Sequence, residues 1–156
     1  MKILYGMQPP DEGRMLVNGE EVHFGSPSDA IAMGIGMVHQ HFMLADNLTV
    51  LENVILGSEP TTILDMIDFD EARAHLREVG RSYGLAVDPD ELVEGLEVGE
   101  RQRIEIIKVL YRGAKIIILD EPTAVLVPQE VEALFDNLRE LKAQIIDGTI
   151  KVPEAP

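Results

Sequence analysis

Near the beginning of the chain, two short segments with apolar residues flank a turn signal, a pattern typical of a β-hairpin. Residues 14–17 are Arg-Met-Leu-Val and residues 21–24 are Glu-Val-His-Phe, and the two segments lie on either side of Asn18-Gly19. Asn-Gly favours a two-residue turn, because both residues tolerate a positive φ angle. This spacing predicts two short antiparallel strands.

A helical pattern and then an extended one follow the hairpin. Ser26 and Pro27 supply a cap and a first-turn proline for a short helix that reaches Met33, and Gly34 closes it. Residues 35–40 are mostly apolar and predict a short strand. The change of spacing at Gly34 therefore marks the boundary between two elements.

Polar residues become frequent in the middle of the chain. Residues 48–56 predict a brief amphipathic helix, capped by Asn47 or Thr49. Residues 58–95 are rich in Asp, Glu and Arg, and the Asp-Pro-Asp of residues 88–90 interrupts them. We expect this part to be a small, solvated helical insert, with a second short helix after the interruption. Its apolar positions with helical spacing include Ala72, Leu76 and Val79.

The rest of the chain returns to a more apolar pattern. Residues 98–111 have apolar side chains at helical spacing and predict a partly buried helix. Residues 115–119 contain a continuous apolar run, which is typical of a strand covered on both faces. Residues 130–142 predict a final amphipathic helix. Helices that alternate with buried strands indicate an α/β layer structure.

The composition excludes several classes of protein. The chain has 156 residues, of which 46% are hydrophobic, enough for one domain with a core. Its 28 acidic and 13 basic residues give a formal charge of −15, which argues against a nucleic-acid-binding surface. A few backbone N–H groups can still hold the phosphate of a nucleotide. The absence of cysteine excludes disulfides and zinc thiolates.

Two adjacent carboxylates, Asp120 and Glu121, directly follow the predicted strand 115–119. Ligands of open α/β sheets bind at the carboxyl ends of parallel strands. Asp120 is therefore a candidate to orient water on Mg²⁺, and Glu121 is a candidate to polarise the attacking water in nucleotide hydrolysis. The alternative is that Asp-Glu-Pro-Thr only ends a strand and begins a turn.

Two further segments have residues suited to the same chemistry. Residues 96–100 open the predicted helix, and Gly99 there would let backbone N–H groups face a phosphate. The alternative is an ordinary acidic first turn of a helix. Gln40 ends the predicted strand 35–40, and its amide could reach a metal or water at the same sheet edge.

These segments, in this order, resemble the nucleotide-binding subunits of ABC transporters. Residues 38–40 are Val-His-Gln, residues 96–100 are Leu-Glu-Val-Gly-Glu, and residues 119–123 are Leu-Asp-Glu-Pro-Thr. A closer similarity to the ATPases of simple-sugar and nucleoside importers is carried by residues 36–42, 48–54 and 111–116. The resemblance extends over nearly all of residues 1–143.

The resemblance implies a role for each matching residue. Gln40 matches the Q-loop residue, which binds Mg²⁺ and reports to the permease. Asp120 matches the Walker B aspartate, a Mg²⁺ ligand, and Glu121 matches the catalytic glutamate. Residues 123–126 match the D-loop region. ATP would also be contacted by the signature-motif residues Glu97, Val98, Gly99 and Glu100.

The implied architecture is an α/β, partial P-loop NTPase core of the ABC type with a small helical subdomain insert. The RecA-like core would comprise residues 1–57 and 96–156, and the helical subdomain, residues 58–95, would dock on the permease. The implied cofactors are ATP and Mg²⁺. The implied partners are a second ATP-binding subunit in a head-to-tail dimer and transmembrane permease subunits, not nucleic acid. The protein would be cytoplasmic, peripheral at the inner face of the cell membrane through the permease.

The sequence departs from the family pattern at three places. A P-loop needs Gly-Lys followed by Ser or Thr, and none of the 13 glycines is followed by lysine. No histidine follows Glu121, so the switch histidine has no match. Glu97 stands at the position of the signature serine, where a carboxylate repels the γ-phosphate of a partner's ATP.

These departures lead to two hypotheses of different classes. We expect a truncated or degenerate ATP-binding subunit of a simple-sugar or nucleoside importer that does not hydrolyse ATP alone. The alternative is a non-catalytic interaction module that pairs with an intact ABC subunit or a permease. A DNA-repair or chromosome-associated ATPase is disfavoured by the charge of −15. Without the neighbouring strands of the family core, residues 115–119 would form an exposed apolar edge.

Overall fold

The computed structural model describes residues 1–61, 66–120 and 139. β1 (Met15–Val17) and β2 (Glu20–Val22) form the predicted antiparallel hairpin. Asn18 and Gly19 are its two turn residues, and their φ angles of 52° and 86° are those of a type I′ turn. The hairpin is thus confirmed, with slightly shorter strands than the pattern predicts.

The predicted helix and strand after the hairpin are present as α1 (Pro27–Ala32) and β3 (Ile35–Val38). Ser26 is the N-cap residue, and the Asp29 carboxylate accepts its backbone N–H at 2.9 Å. Gly34 has a φ of 75°, which allows the chain to turn sharply between the two elements. All four residues of β3 are buried.

β3 pairs in parallel with β4 (Ile116–Leu119), so that Val38 lies opposite Leu119. Ile118 is buried, but Ile116 is 42% exposed. Within the described part of the chain, both faces of β4 still carry apolar contacts, which confirms in part the expectation of a strand covered on both faces. Ile118 packs with side chains of the hairpin and α1, and Ile117 and Leu119 pack on the other face against side chains of the helices. In the described part β4 has β3 as its single neighbouring strand, and an edge strand keeps side chains accessible.

Three helices form a layer: α2 (Val50–Ile55), α3 (Phe69–Ser82) and α4 (Val98–Tyr111). In this layer α4 packs against β3, and the other two helices pack against α4. The bounds of α4 agree with the sequence prediction at both ends. A 3₁₀ turn, Val93–Gly95, stands where a second short helix was expected after residues 88–90.

A capping box begins α2. Thr49 is its N-cap residue, and its hydroxyl oxygen accepts the Glu52 N–H at 3.2 Å. The Glu52 carboxylate accepts the Thr49 N–H at 2.8 Å in return. Of the two predicted caps, Thr49 is therefore the correct one, because two donors are satisfied reciprocally.

The buried apolar side chains form two clusters. The larger cluster joins all three helices of the layer with Val38 of β3. The smaller cluster lies between the hairpin, α1 and the parallel strands, and contains Val17, Ala30, Ile35, Met37 and Ile118. Because α3 shares the larger cluster with α2 and α4, the described residues between 58 and 95 form no separate buried cluster. Their assignment as a domain of their own stays a prediction.

Some predicted features lie outside the described residues. These are the final helix, residues 130–142 apart from Arg139, the carboxylate of Glu121, and residues 123–126. Among the residues that are described, no helix is both long enough and apolar enough to cross a bilayer.

Candidate functional site

Gln40 and Asp120 lie at the same edge of the parallel sheet. Gln40 comes two residues after β3, and Asp120 directly follows β4. The Asp120 N–H donates to the Val38 carbonyl at 3.0 Å, which continues the ladder past the last strand residue. Gln40 is exposed and Asp120 is half-buried. The parallel register thus brings together two predicted site residues that are far apart in the sequence.

The oxygen atoms at this edge suit Mg²⁺. The ion accepts carboxylate and amide oxygens, and it usually keeps waters or substrate phosphates beside one or two protein carboxylates. Asp120 and Gln40 provide one oxygen group of each kind. Within residues 1–61 and 66–120, no group of three or more acidic or histidine side chains is arranged to hold a metal. The oxygen groups of Gln40 and Asp120 are of the kind that binds Mg²⁺ together with waters or phosphates.

The second predicted segment, residues 96–100, is the beginning of α4. Glu97 is exposed at the N-cap position, followed by an exposed Val98 and a half-buried Gly99. The carboxylate of Glu100 accepts the Glu97 backbone N–H at 3.0 Å. Acidic side chains thus offset the positive end of the helix dipole from within the chain. A phosphate that approaches this helix start meets carboxylates as well as backbone N–H groups.

α4 also anchors the loop that follows Gln40. The buried carboxylate of Glu105 accepts the Met43 N–H at 2.5 Å, and the Lys108 ammonium donates to the Met43 carbonyl at 3.3 Å. Burial lowers the pKa of Lys108, and the nearby Glu105 carboxylate partly opposes that shift. Both backbone groups of Met43 therefore bind charged side chains of one helix.

Two more side chains anchor the same loop a few residues further on. Asn53 of α2 is fully buried and binds both the N–H and the carbonyl of Ala45. Arg101 of α4 forms a salt bridge to Asp46 at 2.6 Å and donates to the Leu96 carbonyl at 3.1 Å. Arg101 thus connects the loop directly to the first residue of segment 96–100.

Sequence reasoning missed these anchoring residues. Glu105 lies between Ile104 and Ile106 in the predicted helix, and all three side chains are buried. A charged residue inside an apolar run was the signal available in the sequence, because such a residue is rarely buried without a partner. The pattern does not say which partner it meets.

A comparison with known families agrees with this arrangement of segments. The family model described as ABC transporter matches residues 1–124. The chain belongs to the ABC transporter family. The match includes the hairpin, the parallel strands and the helical layer of this member, together with Gln40, residues 96–100 and Asp120.

Curated relatives within the ABC transporter family are import proteins. The nucleoside import ATP-binding protein NupA of Lactococcus lactis is 49% identical over 141 residues, which are 90% of this chain and 28% of that protein. The ribose import ATP-binding protein RbsA of Rhodopirellula baltica is 45% identical over 144 residues, 92% of this chain and 28% of that protein. The chain therefore spans less than a third of the length of these relatives.

Solved structures confirm the expected fold class. The chain matches cbiO1 from Clostridium perfringens, part of the ABC transporter complex cbiONQ, with a TM-score of 0.72 and 26% identity over 92% of this chain and 56% of that one. It matches another ATP-binding cassette of an ABC transporter with a TM-score of 0.76 and 23% identity, over 92% of this chain and 60% of that one. The fold is the α/β, P-loop NTPase fold of ABC cassettes, present in part.

Proposed function

We propose that the chain is the part of an ABC importer ATP-binding subunit that carries the Q-loop, signature and Walker B segments. The parallel register of β3 and β4 carries this proposal, because it puts Gln40 and Asp120 at one sheet edge. The importer class would be simple sugars or nucleosides, as in the relatives named for nucleoside and ribose import. The coupling of ATP hydrolysis to solute uptake would belong to the complete transporter.

Each site residue has a role in this proposal. Asp120 and Gln40 would hold the Mg²⁺ of a bound ATP, and Glu121 would polarise the attacking water. When bound, Mg²⁺ would neutralise part of the negative charge of the phosphates. The half-buried position of Asp120 supports its role, since a carboxylate attracts a cation more strongly where water is partly excluded. The exposure of Gln40 leaves it accessible to a nucleotide or to a permease.

Residues 97–100 would face the ATP of a second ATP-binding subunit in a head-to-tail dimer. The exposure of Glu97 and Val98 supports this, because both can reach a partner. The Glu97 carboxylate would repel the γ-phosphate there and weaken closure of the dimer. The transmembrane permease subunits would be further partners, so that the protein would lie at the cytoplasmic face of the membrane.

We further propose that this chain does not hydrolyse ATP alone. Its sequence contains no Gly-Lys pair for a P-loop and no histidine after Glu121. Without a P-loop, the backbone N–H groups and the lysine that hold the β- and γ-phosphates are lacking. These same features, with the acidic start of α4, favour a second candidate: a non-catalytic module that pairs with an intact ABC subunit or permease.

Phosphate release from MgATP tests the proposals. The chain would be assayed alone and in a mixture with an intact ATP-binding subunit such as NupA. Glu78→Gln, which changes an exposed residue of α3, is the control for Glu121→Gln. We expect no hydrolysis by the chain alone and a change in the partner's rate on mixing. Release by the chain alone that Glu121→Gln abolishes would contradict the proposed inactivity. A stable complex without any change in rate would favour the interaction module.

A further inference from the structure

The Gln40 loop, defined here as residues 41–46, contacts α4 through a pair of side chains to which the proposed chemistry gives no role. Glu105 and Lys108 are three positions apart, so they lie on the same face of the helix. Glu105 accepts the Met43 N–H, and Lys108 donates to the Met43 carbonyl. One loop residue is therefore held at both of its backbone groups.

Apolar packing does not account for this attachment. Met43 is 65% exposed, so the residue contributes little buried area. Glu105 is only 5% exposed, and a carboxylate buried to this degree is unfavourable unless it is paired and hydrogen-bonded. Its hydrogen bond to Met43 and the attraction of Lys108 supply that compensation. At Met43, the loop is thus held on α4 by two charged groups.

The same helix connects the loop to the signature segment. α4 begins at residues 97–98, and Arg101 in its first turns binds Asp46 at the end of the loop. The loop is consequently attached to α4 at two points, Met43 and Asp46, which lie on either side of Ala45. A displacement of α4 would move the loop with it.

We propose that Glu105 is a positioning residue for Gln40. Its carboxylate, with Lys108 beside it, sets where the Gln40 loop lies on α4 and so holds Gln40 at the sheet edge next to Asp120. Glu105 touches no nucleotide in this scheme. The consequence for ATP chemistry rests on the proposed function, because only there is Gln40 a ligand of the nucleotide site.

Hydrogen exchange and NMR of the full 156-residue chain test the positioning role without nucleotide. The variants are Glu105→Ala, Glu105→Gln and, as a matched loss of an exposed acid, Glu78→Ala on α3. In Glu105→Ala we expect exchange of the Met43 amide to accelerate about tenfold or more, since a hydrogen bond to a charged group is lost. The side-chain amide resonances of Gln40 should shift with it. Glu105→Gln keeps an acceptor and should restore most of the protection, and Glu78→Ala should change neither signal.

Two results would overturn the proposal. One is unchanged Met43 exchange and unchanged Gln40 resonances in Glu105→Ala. The other is a uniform loss of protection across the core in both Glu105 variants, which would make Glu105 a general stability residue. If Glu105→Ala does not fold, the smaller loss of protection that remains in Glu105→Gln supports the proposal when it is confined to residues 40–46.

The mixed ATPase assay separates this inference from the proposed function. If the wild-type chain changes the partner's rate, Glu105→Ala should reduce that effect at saturating MgATP about as much as Gln40→Ala does. An undiminished effect would overturn the positioning role. If the wild-type chain has no effect, the proposed function fails, and the NMR result still decides whether Glu105 positions the loop.

Discussion

Asn53 binds Ala45 through both backbone groups of that residue. Its Oδ1 accepts the Ala45 N–H at 2.7 Å, and its Nδ2 donates to the Ala45 carbonyl at 3.0 Å. Nδ2 also donates to the Thr49 carbonyl at 3.0 Å. The side chain is fully buried, so its polar atoms have no contact with solvent and depend on these hydrogen bonds. The bonds hold the Gln40 loop against α2.

Replacement of Asn53 by Ala should therefore destabilise the fold strongly. The change leaves the Ala45 N–H without its partner, while the Ala45 carbonyl keeps its hydrogen bond from the Leu48 N–H. The lost hydrogen bonds and the small cavity together cost about 2–4 kcal/mol. Urea denaturation followed by circular dichroism would measure the free energy of unfolding. Asn47→Ala is the control, because Asn47 is exposed and should change stability by less than about 0.5 kcal/mol. Equal stabilities of the two variants would contradict the anchoring role of Asn53.

Gly36 allows β3 and α4 to approach closely. A Cβ at this position would lie 2.8 Å from the Val109 Cβ and 3.0 Å from the Ala114 Cβ. Gly36→Ala should therefore push strand and helix apart and lower the free energy of unfolding by about 1–3 kcal/mol. Gly95→Ala is the matched control, since nothing lies within 4 Å of its Cβ position. The melting temperatures of both variants, measured by thermal unfolding, check the prediction, and equal melting temperatures would contradict it.

The ion pair between Arg73 and Asp90 on the surface changes the pKa of the Asp90 carboxyl. The Arg73 guanidinium donates to Asp90 at 2.7 Å, and this hydrogen bond lowers the pKa of Asp90. A carboxyl whose pKa is lowered by folding contributes stability above its unfolded pKa and loses it as the pH falls through the folded value. Arg73→Met should raise the pKa of Asp90 toward its ordinary value. Carboxyl-carbon NMR during an acid titration would measure it.

The control for this titration uses the second partner of Arg73. Asp70 lies 3.5 Å from the guanidinium, and its side chain is fully exposed. Asp70→Asn should therefore leave the pKa of Asp90 close to its wild-type value. If Arg73→Met also leaves it there, the hydrogen bond is not the cause of the shift.

Glu97→Ser tests the electrostatic part of the proposed function. Removal of this exposed carboxylate at the start of α4 removes a repulsion of the partner's γ-phosphate, so the mixed ATPase rate should rise. Glu94→Ser removes an exposed acid outside segment 96–100 and serves as the control. The signature role of Glu97 would be refuted if both variants had the wild-type rate.

The sequence by itself determined the local elements and the pairing of two site residues. Asn18-Gly19, Ser26 and the apolar spacing of residues 98–111 predicted a turn, a cap and a helix, because each signal acts within a few positions. Gln40 and Asp120 were expected at one edge, because each lies at the carboxyl end of a short apolar strand. The exposed edge at residues 115–119 was expected only from the family resemblance, because the apolar run itself does not show which strands lie beside it.

Only the tertiary structure decided what holds the Gln40 loop. Lys108 meets Met43 across 65 positions of the sequence, and Arg101 meets Asp46 across 55. Hydrophobic periodicity reports which face of a helix is buried, but it carries no information about the backbone that lies against that face. Glu105 was therefore visible in the sequence only as a charge in an apolar helix. Its partner, the Met43 N–H, is brought to it by the packing of α4 against the parallel strands.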